Sequence, residues 1–236
     1  MQDDLIITTT TEMCTNRGVN AVLAGLPKVG KTYAMRTLPG RPLIIDCENG
    51  QLCNQGIPLP AIQIRNWTDA LKLRDGLLGS DKYAAFDCIG IDSISVLAEM
   101  HLAEEIKRVA DPRQAFGNVA RNVREWINDI KNVMDKHIIF ISKTAPGDDG
   151  RMMPLMPGKM LANELLFLMD EILFLRFVND EEGNPQRVIQ CHGCETYNAG
   201  DRSGQLNFYE PPDLGYIITK IQSGVNNHEL QLQAQG

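Results

Sequence analysis

The segment GLPKVGKT at residues 25–32 constrains the fold more than any other part of the chain. It fits the pattern G-x-x-x-x-G-K-[S/T], whose glycines let backbone N–H groups wrap around a phosphate chain. The apolar run NAVLA precedes this segment, and the helix-forming segment KTYAMRTL follows it. A phosphate loop needs this context, because the free N–H groups at the start of the helix bind the anion. The alternative, a chance glycine turn, would not require a strand and a helix on its two sides.

Short apolar runs alternate with helical periods along the rest of the chain. The runs PLIIDCENG, DCIGIDSI and HIIFISKT predict buried strands, and an apolar stripe over 116–134 predicts a helix with one buried face. This alternation is typical of βαβ units, so we predict an α/β fold with a mostly parallel central sheet flanked by helices. Near the C-terminus, QRVIQCHGC and the stretch that follows it predict a β-hairpin and a last helix.

Composition limits the domain count, the compartment and the partners. The 236 residues suit one large domain, which we place at 18–222, with polar tails at 1–17 and 223–236. The most apolar stretch, 160–178, carries four charged residues and cannot span a bilayer. Scattered cysteines and the lack of a secretory pattern favour the cytoplasm. A net charge of -7 argues against coating duplex DNA by charge alone, although it allows a local basic groove.

We expect the phosphate loop to bind ATP together with Mg²⁺. Lys31 would reach the β and γ oxygens, and the Thr32 hydroxyl would ligate the metal. The residues expected to contact the nucleotide form one continuous run: Gly25, Leu26, Pro27, Lys28, Val29, Gly30, Lys31, Thr32 and Tyr33.

Two carboxylates at strand ends are candidates for the remaining chemistry. Asp92 ends the run CIGID, where a carboxylate can hold the metal; the alternative is an N-cap for the helix SISVLAEM, a role that a neighbouring serine could fill. Glu48 follows the second strand and could orient the attacking water and accept its proton. On a strand, Asp46 and Glu48 would share one face. A solvated strand end or turn is the alternative for Glu48.

Four segments, GLPKVGKT, IIDCENG, IGIDSIS and IIFISKT, together resemble the ATPase core of RecA-like recombinases. Residues 18–222 are similar to phage-encoded, core-only RecA-like ATPases implicated in single-strand annealing and recombination. The resemblance implies a RecA-like P-loop NTPase with a C-terminal β-hairpin, located in the host cytoplasm. It also implies phosphate contacts from Gly30, Lys31 and Thr32, a metal contact from Asp92 and water activation by Glu48.

The resemblance implies a polar γ-phosphate sensor at the end of IIFISKT. Ser142 and Lys143 are the candidates there, and a plain surface residue is the alternative for Lys143. The following loop, 145–159, takes the position of DNA-contacting segments. Its two basic residues are opposed by two acids, so an ordinary flexible loop is an equal alternative.

The segment NAGDRSG resembles the hairpin from which relatives extend a lysine and an arginine onto a neighbouring subunit's γ-phosphate. Arg202 matches the arginine, but Gly200 stands where the lysine is expected. The alternative is a surface arginine paired with Asp201.

Three functions fit these observations. The first is an ATPase that assembles head to tail, as a ring or filament, on single-stranded DNA in phage recombination or annealing, with a single-stranded DNA-binding protein as a further candidate partner. The second is a small-molecule kinase, for which an arginine-rich lid is expected and not found. The third is a nucleotide-dependent assembly switch without strong hydrolysis, which the missing lysine leaves open.

Overall fold

The fold is described by a computed structural model that covers residues 7–15, 17–133 and 135–233. The strands are β1 (Asn20–Ala24), β2 (Pro42–Asp46), β3 (Ala61–Gln63), β4 (Cys88–Asp92), β5 (His137–Ser142), β6 (Thr144–Pro146), β7 (Met152–Pro154), β8 (Glu171–Asn179), β9 (Pro185–Gln190), β10 (Gly200–Asp201) and β11 (Tyr209–Glu210). The α-helices are α1 (Thr10–Thr15), α2 (Lys31–Ala34), α3 (Trp67–Gly79), α4 (Ile94–Arg108), α5 (Pro112–Lys131), α6 (Lys159–Leu168) and α7 (Leu214–Gln233). Short 3₁₀ turns cover Met35–Thr37, Gln51–Asn54 and Asp81–Tyr83.

Within the described residues, a nine-stranded sheet has the order β11-β9-β8-β1-β5-β4-β2-β3, with β10 added beside β8. The six strands from β8 to β3 are parallel, and β9 and β10 each pair antiparallel with β8. Every residue of β1, β2 and β4 is buried, as expected for central parallel strands covered on both faces. The predicted α/β fold with a mostly parallel sheet is confirmed.

Helices cover the two faces of the sheet and create two apolar cores. One core packs α3, α4, α5 and α6 against the sheet, around Trp126, Phe140 and Phe174. The other packs α2 and α7 against the opposite face, around Leu23, Met35 and Ile217. Since β1 and its phosphate loop lie between these cores, the packing fixes the position of the loop from both sides.

Local sequence signals set the helix boundaries. The Asn66 side chain accepts a hydrogen bond from the N–H of Asp69 at 2.9 Å and caps α3. Helix α5 buries the stripe that includes Val123 and Ile130, as predicted, but Phe116 in its second turn is 40% exposed. The helix ends at Lys131, and position 134 of the predicted stripe lies outside the described residues.

The chain ends and the C-terminal strands differ from the expected pattern. Helix α1 lies within the expected N-terminal tail, of which positions 1–6 and 16 are outside the described residues. Helix α7 continues past the expected boundary at 222 to Gln233, and α1 packs against it.

Strand β9 pairs mainly with the preceding β8, and only a short β11 joins its other side. Segment 145–159 contains most of a two-stranded antiparallel sheet, β6-β7, and is therefore more ordered than a plain loop. No described helix is long and apolar enough to cross a membrane.

Candidate functional site

The phosphate loop connects the end of β1 to the start of α2. Gly30 has a φ of +105°, a conformation in which a residue with a side chain would be strained. Lys28 has a φ of +63°. Helix α2 begins at Lys31, as the motif requires, and the N–H of Ala34 donates to the Gly30 carbonyl at 2.9 Å. The loop thus has the strand, the turn and the helix start that the sequence predicted.

Lys31 folds back over this loop. Its Nζ donates to the carbonyl oxygens of Gly25 at 2.7 Å and Leu26 at 2.9 Å. Burial lowers the pKa of Lys31, while the nearby carboxylates of Asp92 and Glu48 oppose that shift. The ammonium is therefore held over the loop, where phosphate oxygens could replace the two carbonyls as stronger, charged acceptors.

Asp92 and Thr32 meet beside this lysine. The Thr32 hydroxyl donates to Asp92 Oδ2 at 2.7 Å, and Asp92 is only 1% exposed. Burial raises the pKa of Asp92 to about 6; the charges of Glu48 and Asp46 add to the shift, and the Thr32 bond and Lys31 oppose it. Ser93, not Asp92, caps α4 by accepting from the N–H of Val96. The alternative role of Asp92 as the helix cap is therefore wrong.

A hydroxyl and a buried carboxylate are oxygen ligands that suit Mg²⁺. No cationic side chain bonds to Asp92 among the described residues, so a metal ion would supply the missing positive charge. Gln51 was not predicted, yet its Nε2 lies 3.4 Å from Asp92 Oδ2. Gln51 could have been found from its position in the chain, because it lies in the turn after β2 that also carries Glu48.

Glu48 lies just past the end of β2 and is exposed, whereas Asp46 is 7% exposed. Asp46 Oδ1 accepts from the N–H groups of Glu48 at 3.1 Å and Gly50 at 3.3 Å. The expectation that Asp46 and Glu48 share a strand face is wrong, because the strand ends at Asp46 and the chain turns. The N–H of Cys47 donates to the Asp92 carbonyl at 2.7 Å, which holds this turn beside the metal-site carboxylate.

A family model described as an AAA domain matches residues 17–203, more than half of the chain. The chain belongs to the AAA domain family. It is therefore a P-loop nucleotide-binding domain of the ATPase type, as its loop predicted. No curated protein in the comparison matches the chain.

In this AAA domain, Lys143 does not contact the phosphate loop. Its Nζ forms two bonds to the Glu99 carboxylate of α4, at 2.7 and 2.9 Å. Ser142 is buried, with its Oγ 3.0 Å from that of Ser95. The residue that lies beside the loop is Thr144, which helps to line a cavity of about 280 Å³ there. Sensing by Lys143 stays a prediction, and it would require the Glu99 pair to open.

Arg202 of the AAA domain lies at the opposite end of the sheet. Strand β10, which ends immediately before Arg202, pairs with the first residues of β8, whereas the phosphate loop follows the last residue of β1. Arg202 Nη1 donates to Asp170 Oδ1 at 2.6 Å, and Arg17 Nη2 donates to the other oxygen at 2.7 Å. The alternative pairing of Arg202 with Asp201 is wrong, because Asp201 accepts from Ser203 and from backbone N–H groups. Arg202 cannot serve the phosphate loop of its own chain.

The basic residues of segment 145–159 are already paired. Arg151 bonds to Asp149 at 2.7 Å, and Lys159 bonds to Asp148 at 2.6 Å. Both pairs are exposed and contribute little to stability. The segment therefore presents little unbalanced positive charge to a DNA backbone in this conformation.

Proposed function

We propose that this AAA domain binds ATP with Mg²⁺, hydrolyses it with Glu48 as the base, and couples turnover to single-stranded DNA. The bond of 2.7 Å between Thr32 and Asp92, next to the ammonium of Lys31, carries the nucleotide half of the proposal. The DNA half rests on the resemblance to RecA-like ATPases of phages. On this view the protein acts in recombination or annealing in the host cytoplasm.

Each residue of the site has a distinct role in the proposed reaction. Lys31 exchanges its two carbonyl acceptors for the β and γ oxygens and orients the phosphate chain. Thr32 and Asp92 hold the Mg²⁺, which when bound neutralises charge on the phosphates. Glu48 is exposed beside these groups, where its carboxylate can orient a water molecule and accept its proton.

The proposed assembly is a head-to-tail ring or filament of identical chains. A head-to-tail contact joins two different surfaces of the same protein. The phosphate loop and Arg202 lie at opposite ends of the sheet, so one chain's Arg202 can face its neighbour's nucleotide. A single-stranded DNA-binding protein is a second candidate partner.

The test measures ATP affinity and turnover for the parent and for Lys31→Ala, each with and without single-stranded DNA. Lys31→Ala removes the charged donor of the loop, and we expect ATP to bind about 10- to 100-fold more weakly. DNA should increase the parent's turnover. Unchanged ATP affinity in Lys31→Ala would contradict the site, and DNA-independent turnover would contradict the DNA half alone.

One observation favours a second function, the nucleotide-dependent assembly switch. Both residues expected to respond to the γ-phosphate, Lys143 and Arg202, are held in ion pairs with Glu99 and Asp170. A switch would bind ATP and change its assembly state with little turnover. Sedimentation with ATP and with ADP separates the two functions, because a switch changes size while phosphate release stays near background.

A further inference from the structure

An arginine from a distant strand lies directly against the phosphate loop. Arg187 on β9 is in register with Phe177 on β8, and its guanidinium carbon lies 5.2 Å from the centre of that ring. A Cβ atom placed on Gly30 would lie 3.2 Å from this guanidinium carbon and 3.3 Å from Nη1. The guanidinium therefore packs against the glycine that immediately precedes Lys31.

Among the described residues, the half-buried Arg187 side chain has no hydrogen-bond acceptor and no ion-pair partner. Its Nε is buried without a hydrogen-bond partner, and no carboxylate of the described residues forms an ion pair with it. By contrast, Arg17, Arg74 and Arg202 each pair with an aspartate. A buried guanidinium donor without a partner is costly, and this chain has more acidic than basic residues. Such a donor beside a phosphate-binding loop indicates an anionic ligand.

We propose that Arg187 is a nucleotide-contacting residue that donates, within its own chain, to the phosphate chain held by the loop. The inference rests on the proposed function and adds a residue to the same site. A planar guanidinium can form two parallel bonds to phosphate oxygens, and stacking on Phe177 orients it in advance. Arg187 acts in cis, whereas the proposed role of Arg202 is on a neighbouring chain.

The test compares Arg187→Gln, Arg187→Lys and the control Arg121→Gln in the full chain. Arg121 is an exposed arginine of α5 that bonds to Asn118 and lies outside the site. Affinities are measured for ATP, ADP and inorganic tripolyphosphate. We expect Arg187→Gln to weaken all three by about 10- to 100-fold, because a charge-assisted bond to phosphate is lost. Arg187→Lys should lose less, and the control should match the parent.

Several outcomes would overturn the proposal. If Arg187→Gln lowers the melting temperature without nucleotide but leaves all three affinities unchanged, Arg187 only packs against Phe177. If ATP and ADP bind more weakly while tripolyphosphate does not, the contact is to the base or sugar and not to phosphate. If Arg187→Gln fails to fold, the test rests on Arg187→Lys, and parental affinities in that variant would refute bidentate phosphate binding.

Lys31→Ala, measured in parallel, separates the two proposals. Loss of binding in Lys31→Ala with full binding in Arg187→Gln would refute only the role of Arg187. Full binding in Lys31→Ala would refute the nucleotide site itself.

Discussion

Glu171, at the start of β8, makes the stability of the protein depend on pH, and this dependence can be predicted quantitatively. This carboxyl opens β8, is 1% exposed, and has an Oε2 atom without a hydrogen-bond partner among the described residues. Asp201 faces it across the β8–β10 pair. Burial, together with the charge of Asp201, raises the pKa of Glu171 from 4.5 to about 9. The native protein therefore holds Glu171 protonated at neutral pH, whereas the unfolded chain ionises it.

The sign of the effect follows from proton binding. Between pH 4.5 and about 9 the native state binds one more proton than the unfolded state, so the free energy of unfolding falls as pH rises. The decrease is at most about 1.4 kcal/mol per pH unit, or about 5 kcal/mol between pH 4.5 and pH 8. Glu171→Gln removes the ionisation, keeps the side-chain size and leaves an amide that can donate to Asp201.

The assay is urea unfolding of the parent, Glu171→Gln and the control Glu181→Gln at about pH 5 and about pH 8. Glu181 is exposed in the turn between β8 and β9. We expect Glu171→Gln to be more stable than the parent at the higher pH by a few kcal/mol, and the difference to shrink at the lower pH. The control should follow the parent. A difference between Glu171→Gln and the parent that does not change with pH would show that Glu171 is already ionised in the native state.

Three further outcomes test the proposed reaction. Glu48→Gln should bind ATP like the parent but hydrolyse it ~10²- to 10⁴-fold more slowly, measured as phosphate release, because the amide cannot accept the proton. Turnover within a few-fold of the parent would show that Glu48 is not the catalytic base. Single-stranded DNA should bind only when ATP is present, and its affinity, measured by fluorescence titration, should fall steeply with added salt. The reason is that an acidic chain has only a local basic track for the DNA backbone. Equal affinity without nucleotide would contradict the coupling of ATP to DNA binding. Mixing inactive Lys31→Ala with inactive Arg202→Ala should restore part of the ATPase activity, because mixed contacts unite an intact loop with an intact arginine; no recovery in a mixture shown to co-assemble would exclude action in trans.

The sequence predicted the parts of the site that depend on local pattern. The phosphate loop has its own spacing, and the buried run that ends in Asp92 places a carboxylate at the carboxyl edge of a parallel sheet. Thr32 and Asp92 were each expected to ligate the metal, and the structure places the Thr32 hydroxyl 2.7 Å from Asp92 Oδ2.

The contacts made by long basic side chains could not be predicted in the same way. The pairing of Lys143 with Glu99 depends on how α4 lies over β5, and the pairing of Arg202 with Asp170 depends on the register of β10 on β8. The position of Arg187 against Gly30 requires β8 to pair with both β1 and β9. These are contacts between elements distant in sequence, and no local period encodes them.

The two ends of the parallel strands carry groups of different character, and this difference bears on assembly. At the carboxyl end, Lys31 and Arg187 offer positive charge around a loop that binds anions. At the amino end, Arg202 and Arg17 are both held by Asp170, so neither guanidinium is free for a phosphate while that pair persists. A neighbour's nucleotide would have to compete with Asp170 for Arg202, whose side chain is 55% exposed while that of Asp170 is only 13% exposed. Arg17 would still pair with Asp170 after such an exchange. If Arg202 acts in trans, its ion pair with Asp170 would keep the guanidinium away from phosphate until a second chain presents its γ-phosphate.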